Sequence, residues 1–344
     1  MTAPESNRTE ADNEIPVVEI SCPLCDASEY AGITQVRDYV YDVPGLFTFV
    51  RCTSCQHIYL NPRPCDDAIM RCYPTDYEPH LTQASNDGLP SGNQANAGPS
   101  LIRRVLRTIP YLRSFLIWLG QQHATVIPNP PSDQARLSEV GCAHGGYLQQ
   151  AAAAGWTVDG IEPDEAAAKR ARARGFPVQT STLPGAKMDS ASREAIVAWM
   201  VLEHVPDPMP FVQEAFRVLS RNGTFAVSVP NGGGFERRMF GKYWLGYDAP
   251  RHLQVFTTKI LRKLLDDAGF VEVKIIHQSS IRYWWGSIAA WGLDNCPNAT
   301  WPARWMDYFI NDPPGWMKWL SFVPEKMLAV LHLSGRITVV AKKR

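Results

Sequence analysis

The chain changes its pattern of apolar and polar positions several times along its length. Residues 1–16 carry few apolar side chains and several turn formers, which predicts a disordered tail. From Gln35 to Val50 apolar and aromatic residues alternate loosely, as in a small hairpin. Residues 82–100, rich in Ser, Asn, Gln, Gly and Pro, read as a linker or lid segment, and Pro128–Pro131 closes that stretch. Leu101–Leu119 sets Arg103, Arg104, Arg107 and Arg113 among Leu, Ile, Val, Phe and Trp with no acid. It reads either as a helix pair over a site mouth, broken near Pro110, or as a basic amphipathic segment lying on an anionic membrane face or a lipid-like substrate.

From Ala135 onward, strand-like and helix-like patterns alternate, which predicts a parallel sheet with crossover helices. Strands are expected to end at Val140 and Ile161, with a short one at Val178–Thr180. The apolar run Ala195–Met200 suits a strand buried on both faces. Helices are expected over 147–154, 165–174 (capped by Asp164), 210–219 and 259–268 (capped by Thr258 and stopped by Gly269). Asn222-Gly223 reads as a turn into a fifth strand that runs to Pro230, Val271–Ile276 as a sixth, and Arg336–Ala341 as a closing strand. The 58 residues 278–335 far exceed a hairpin connection and hold seven of the eleven tryptophans. They read as a helical subdomain or dimer interface, as an apolar wall for a large substrate, or as a shallow membrane-docking face.

Composition narrows the classes. Lys plus Arg equals Asp plus Glu, 34 each, which argues against a general polyanion binder, so no nucleic-acid partner is expected. The N-terminus lacks a signal-peptide pattern, and no run of about 18 apolar residues is present to span a membrane. Cys22-Pro-Leu-Cys25 and Cys52-Thr-Ser-Cys55 are two Cys-x-x-Cys knuckles, the spacing of four thiolates around a structural zinc. Cys65 and Cys72 are expected to be free thiols, and His57 to pack or face solvent. Cysteines spaced as metal ligands point to a reducing cytoplasm, with peripheral membrane contact as an option.

The most informative stretch is Glu139-Val-Gly141-Cys142-Ala143-His144-Gly145-Gly146, between a strand and an alanine-rich helix. Glycines there allow close backbone approach, and the helix start offers free N–H groups to a nucleotide-type ligand. Glu162 ends the next strand, at the distance suited to two ribose hydroxyls. These residues resemble the first motif of class I S-adenosylmethionine (SAM) dependent methyltransferases, with Ala143 in place of the middle glycine. Met200-Val-Leu-Glu-His204-Val-Pro-Asp-Pro208 resembles the stretch after the fourth strand in ubiquinone-biosynthesis-type methyltransferases, and Arg221–Asn231 the turn and fifth strand. The cysteine knuckles with Tyr59–Pro64 resemble an N-terminal zinc module of some bacterial methyltransferases, whose members act in sugar, lipid or natural-product pathways.

The resemblance implies an α/β, Rossmann-like, seven-stranded methyltransferase sheet with an antiparallel last strand. The expected division is a tail at 1–16, a zinc-ribbon module at 17–75, a linker with amphipathic helices at 76–133, and a methyltransferase domain at 134–344 with the insertion 278–335. It implies SAM held by Glu139, Gly141, Cys142, Ala143, Gly145, Glu162, Pro163, Met200 and Val201, with Ser181, Thr182 or Asp189 near adenine. His204 and His252 are the candidate bases. Tyr243, Trp244, Tyr247, Asp248 and Arg251 are the candidate substrate contacts, and His144 a contact to cofactor or solvent. The expected activity is methyl transfer to a small-molecule acceptor. An RNA methyltransferase and a zinc-module interaction protein without activity are the alternatives. The acceptor and the oligomeric state are not legible.

Overall fold

The computed structural model describes residues 15–74, 129–278, 281–310 and 314–344. The segment Leu101–Leu119 and the polar stretch 82–100 lie outside them.

The N-terminal part folds around its knuckles. β1 (Val17–Val18) pairs antiparallel with β5 (Arg63–Pro64). β2 (Tyr30–Val36) and β3 (Phe47–Cys52) form the expected hairpin, and β4 (Ile58–Leu60) adds antiparallel to β3. Each knuckle turns through a left-handed residue that follows its second cysteine, Asp26 (φ 57°) and Gln56 (φ 68°).

The second part alternates as expected. In chain order it holds β6 (Arg136–Val140), α1 (Gly146–Ala153), β7 (Thr157–Ile161), α2 (Glu165–Ala173), β8 (Val178–Gln179), β9 (Arg193–Trp199), α3 (Pro208–Val218) and β10 (Leu219–Pro230). Then come α4 (Phe235–Phe240), β11 (Gln254–Val255), α5 (Thr258–Asp267) and β12 (Val271–Gln278). α6 (Ile281–Asn295), α7 (Trp301–Ile310) and α8 (Gly315–Val330) make up the insertion, and β13 (Arg336–Lys342) closes the chain. Seven strands form one sheet in the order β12-β13-β10-β9-β6-β7-β8. β6 to β10 run parallel, and β13 lies antiparallel between β10 and β12. Ala195, Ile196, Val197 and Ala198 of β9 are fully buried, as a strand covered on both faces requires.

Three local expectations change. α5 is capped by Thr257, whose Oγ1 accepts the Ile260 N–H at 3.3 Å, not by Thr258, which is the first helical residue. Asn222 (φ 64°) does not start the fifth strand: β10 already runs from Leu219, and its register against β9 shifts between Leu219 and Thr224. The largest difference concerns the division into parts. β11 belongs to the four-stranded sheet β11-β4-β3-β2, so a strand from the loop after β10 completes the N-terminal sheet. Trp244, Tyr247, Ala249, Leu253 and Val255 share one core with Phe49, Ile58 and Leu60.

Candidate active site

At the end of β6 the chain turns sharply. Gly141 (φ 70°) and Cys142 both donate N–H to the Ile161 carbonyl, at 2.8 and 3.3 Å. A Cβ at Gly141 would lie 2.5 Å from Val201 Cγ2, so only glycine fits. Ala143 also takes a left-handed conformation (φ 45°), and its N–H donates to Glu162 Oε2 at 2.8 Å. The Asp164 N–H donates to Glu162 Oε1 at 3.0 Å. Glu162 is buried, and burial raises its pKa above the usual carboxylate value against these two backbone donors. Glu139 lies behind the turn. Burial and the nearby Glu162 charge raise its pKa well above the ordinary value, and its Oε2 has no hydrogen-bond partner among the described residues.

This turn opens onto a cavity of about 830 Å³. Gly141, Ala143, Glu162, Pro163, Met200 and Val201 line it, as do Ser181 and Thr182. His204, Asp248 and His252 line the cavity too, and Tyr283, Phe309 and Ile310 of the insertion close it with aromatic and aliphatic surface. Glu139, Cys142, His144, Gly145 and Asp189 do not line it. Cys142 instead packs under Gly160, and Gly145 (φ 83°) caps α1.

Of the five expected substrate contacts, Tyr243, Trp244, Tyr247 and Arg251 do not line this cavity. Trp244 and Tyr247 are buried in the core shared with the N-terminal sheet. Tyr243 packs against Tyr39 and beside the α6–α7 core, away from the cavity wall. Arg251 is fully buried: its guanidinium meets Asp38 at 2.7 and 2.8 Å and Asp248 Oδ1 at 2.6 Å, and lies over the Tyr41 ring. A guanidinium held on both sides by carboxylates has no face left for a substrate. Asp248 alone of the five faces the cavity. Burial works to raise its pKa, but Arg251 and His252 outweigh burial and hold it below the usual carboxylate value.

The two histidines meet edge to face, 4.7 Å between ring centres. His252 Nδ1 lies 3.0 Å from the Gly246 carbonyl, which can only accept, so Nδ1 carries the proton and Nε2 presents a lone pair. That Nε2 stands 3.7 Å from Asp248 Oδ2 and 3.9 Å from Glu203 Oε1. Burial lowers the His252 pKa, and Asp248 partly restores it. His204 Nδ1 is committed to the Arg251 carbonyl (3.0 Å) and the Tyr73 hydroxyl (2.9 Å), and burial and His252 depress its pKa to about 3. Glu203 is the residue the sequence reading passed over. Its side chain is fully buried with neither oxygen hydrogen-bonded among the described residues, and burial pushes its pKa up to about 8. Ligand atoms of Glu203, His204 and His252 lie within 4.8 Å of one another, a cluster that suits a shared proton or a cation. An acid inside the apolar run Val201–Val205 was the available signal. Asp38 and Tyr73 gave none, because only folding brings them here.

The four knuckle cysteines also converge. Cys22 and Cys55 sulfurs are 3.5 Å apart, Cys25 and Cys52 sulfurs 3.6 Å, and all four lie within 4.8 Å of one another. Thiolates about 2.3 Å from a tetrahedral zinc stand about 3.8 Å apart, so the set fits one ion. His57 is not a fifth ligand: it is buried, and its Nε2 meets Gln254 Oε1 at 2.6 Å.

A doubly wound sheet in this strand order, with a glycine turn after its first parallel strand and an acid ending the second, defines a class I SAM-dependent methyltransferase. Comparison with known proteins agrees. The family model for a methyltransferase domain matches residues 104–275, and the chain belongs to that family. A probable SAM-dependent methyltransferase of Mycobacterium tuberculosis is 31% identical over 206 residues, 57% of this chain and 71% of the relative. One of Mycolicibacterium smegmatis is 32% identical over 188 residues, 52% of this chain and 69% of the relative. Among solved structures, a possible histamine N-methyltransferase from Thermotoga maritima aligns with 70% of this chain and 97% of its own, at 19% identity and a TM-score of 0.43.

Proposed function

We propose that this methyltransferase acts on a small-molecule acceptor with substantial apolar surface, a sugar, lipid-like or natural-product intermediate, using His252 as base. One observation carries the reading: a single cavity is lined by Glu162, by His252, and by Tyr283 and Phe309. SAM, when bound, supplies a methyl already activated by its sulfonium. Each Glu162 oxygen takes one backbone N–H and keeps a lone pair for a ribose hydroxyl. Gly141, Ala143 and Pro163 give a close-fitting floor, with Cys142 and Gly145 shaping the turn from behind. Glu139, buried off the cavity lining, is left out of the donor's contacts. Met200 and Val201 border the sulfonium or adenine, with Ser181 and Thr182 at hand.

The Gly246 carbonyl fixes the His252 tautomer so that Nε2 can take the acceptor's proton. Asp248, kept ionised, stabilises the imidazolium that forms. His204 is too depressed to serve as a base near neutrality and acts as a positioning residue through Tyr73 and the Arg251 carbonyl. Zinc on the four cysteines is structural, since four protein ligands leave no open position.

Calorimetric titration with SAM is the first test: heat is expected with wild type and none with Glu162→Ala. Wild type without heat would remove the methyl donor from this cavity. Against a panel of acceptors, His252→Ala should lower kcat on the order of 10²- to 10⁴-fold with SAM affinity within a few fold. Unchanged turnover would take His252 out of the base role.

A further inference from the structure

The last helix of the insertion is turned inside out. Along α8, Trp316, Leu320, Val323, Met327 and Val330 recur at intervals of four, three, four and three, so they share one face, and Leu331 follows. All six are exposed: Leu320, Val323 and Leu331 each retain 60% of their surface and Met327 58%. Among the described side chains, the charges Glu325 and Lys326 are turned inward, retaining only 5% and 4%. Glu325 is the sole acid in residues 315–331. A helix whose outer face met only water would reverse that arrangement. The inner face is pinned, since Trp285 Nε1–H donates to Ser321 Oγ at 2.8 Å; half-exposed Trp316 starts the stripe at its edge, against the Trp285 ring.

The stripe continues onto α4. The Phe235 N–H donates to the Leu333 carbonyl at 2.8 Å, which brings exposed Phe235 and Met239 beside the end of α8. The exposed charge of α4, Arg238, is basic; Lys242, beyond the helix, pairs with Asp294 at 3.9 Å. The acid of α4, Glu236, is buried and accepts the Trp284 Nε1–H at 3.2 Å.

From this inverted helix and its basic margin we propose that the α4–α8 face docks on an anionic lipid leaflet. Leu320, Val323, Met327 and Val330 enter the acyl boundary, while Arg238 meets the headgroup phosphates. At 16 residues α8 is about 24 Å long, and no helix among the described residues is long and apolar enough to cross a membrane. It therefore lies in the plane of the interface. Lipid headgroups supply the negative charge that the same face of a second copy lacks, since α4 and α8 expose no acid among the described residues.

Co-sedimentation of the full chain with vesicles tests this. Wild type is expected to pellet with phosphatidylcholine vesicles containing one third phosphatidylglycerol, and about tenfold less tightly with phosphatidylcholine alone. The double variant Leu320→Glu/Met327→Glu should lose at least about tenfold in vesicle affinity. SAM calorimetry should read the same for both proteins, showing that the fold is kept and separating this result from the methyl-transfer assignment. Wild type that stays in the supernatant, a double variant that pellets like wild type, or equal pelleting with uncharged vesicles would each overturn the proposal. So would a dimer in light scattering that the double variant abolishes, which would give the face to a second copy.

Discussion

Glu203 is the side chain whose chemistry depends most on its surroundings. Its carboxyl, raised to about 8 by burial, faces the His252 lone pair with no donor of its own. A carboxyl whose folded pKa exceeds the unfolded value of about 4.3 binds its proton more tightly in the folded state. The protein therefore loses stability as pH rises from about 4 to about 8 through this group. Glu203→Gln should remove that loss, so its melting temperature relative to wild type should be higher at pH 8 than at pH 5. A difference between the two proteins that is the same at both pH values would mean the carboxyl titrates normally. Ala143 shows the opposite relation between residue and setting. A left-handed alanine costs about 1–2 kcal/mol relative to an unstrained one, and its N–H is tied to Glu162. The departure from glycine at that position leaves the turn intact.

Among the elements, the turn between β6 and α1 is the least tolerant. Gly141 combines a positive φ with a neighbour, Val201, that belongs to the strand-four loop and not to its own. Gly141→Ala is expected to cost about 1–3 kcal/mol through overpacking and to weaken SAM binding, because relief requires Val201 to move into the cavity. Calorimetry on the variant checks both, and an unaltered SAM affinity would mean the loop after β9 gives way freely. The Trp-rich insertion divides its work between helices. α6 and α7 contribute Tyr283, Phe309 and Ile310 to the cavity wall, and α8 holds its stripe outward. α6 and α7 also share a packed core around Tyr283, Ala289, Ala290 and Met306. A tryptophan count alone could not assign the faces, because that depends on which side of each helix meets the sheet.

At the scale of the molecule, the N-terminal sheet and the methyltransferase part are one packed unit. β11 completes the N-terminal sheet, and Asp38, on the stretch after β2, pairs with Arg251, which also holds Asp248 beside His252. Removing one partner of a buried ion pair typically costs about 3–5 kcal/mol. Asp38→Ala should lose that much in denaturant unfolding, and a loss below 1 kcal/mol would mean that water reaches the pair. Cys22→Ser should release zinc and destabilise the N-terminal sheet with SAM affinity within a few fold. Because the sheet supports the His252 loop, turnover should fall further than SAM affinity does. Equal losses in both would indicate general unfolding instead.

The sequence by itself determined the alternation of strands and helices, the glycine turn with its acid at Glu162, and the pairing of the cysteine knuckles. Each rests on local spacing, which a linear chain displays directly. Tertiary structure alone decided that Trp244, Tyr247 and Arg251 are buried off the cavity while Glu203 and Tyr73 join the histidines. It also decided that a two-residue strand ties the zinc knuckles to the loop of His252. Those facts follow from burial and from contacts between residues as far apart as Asp38 and Arg251, and burial is a property of the packed chain that no local pattern encodes.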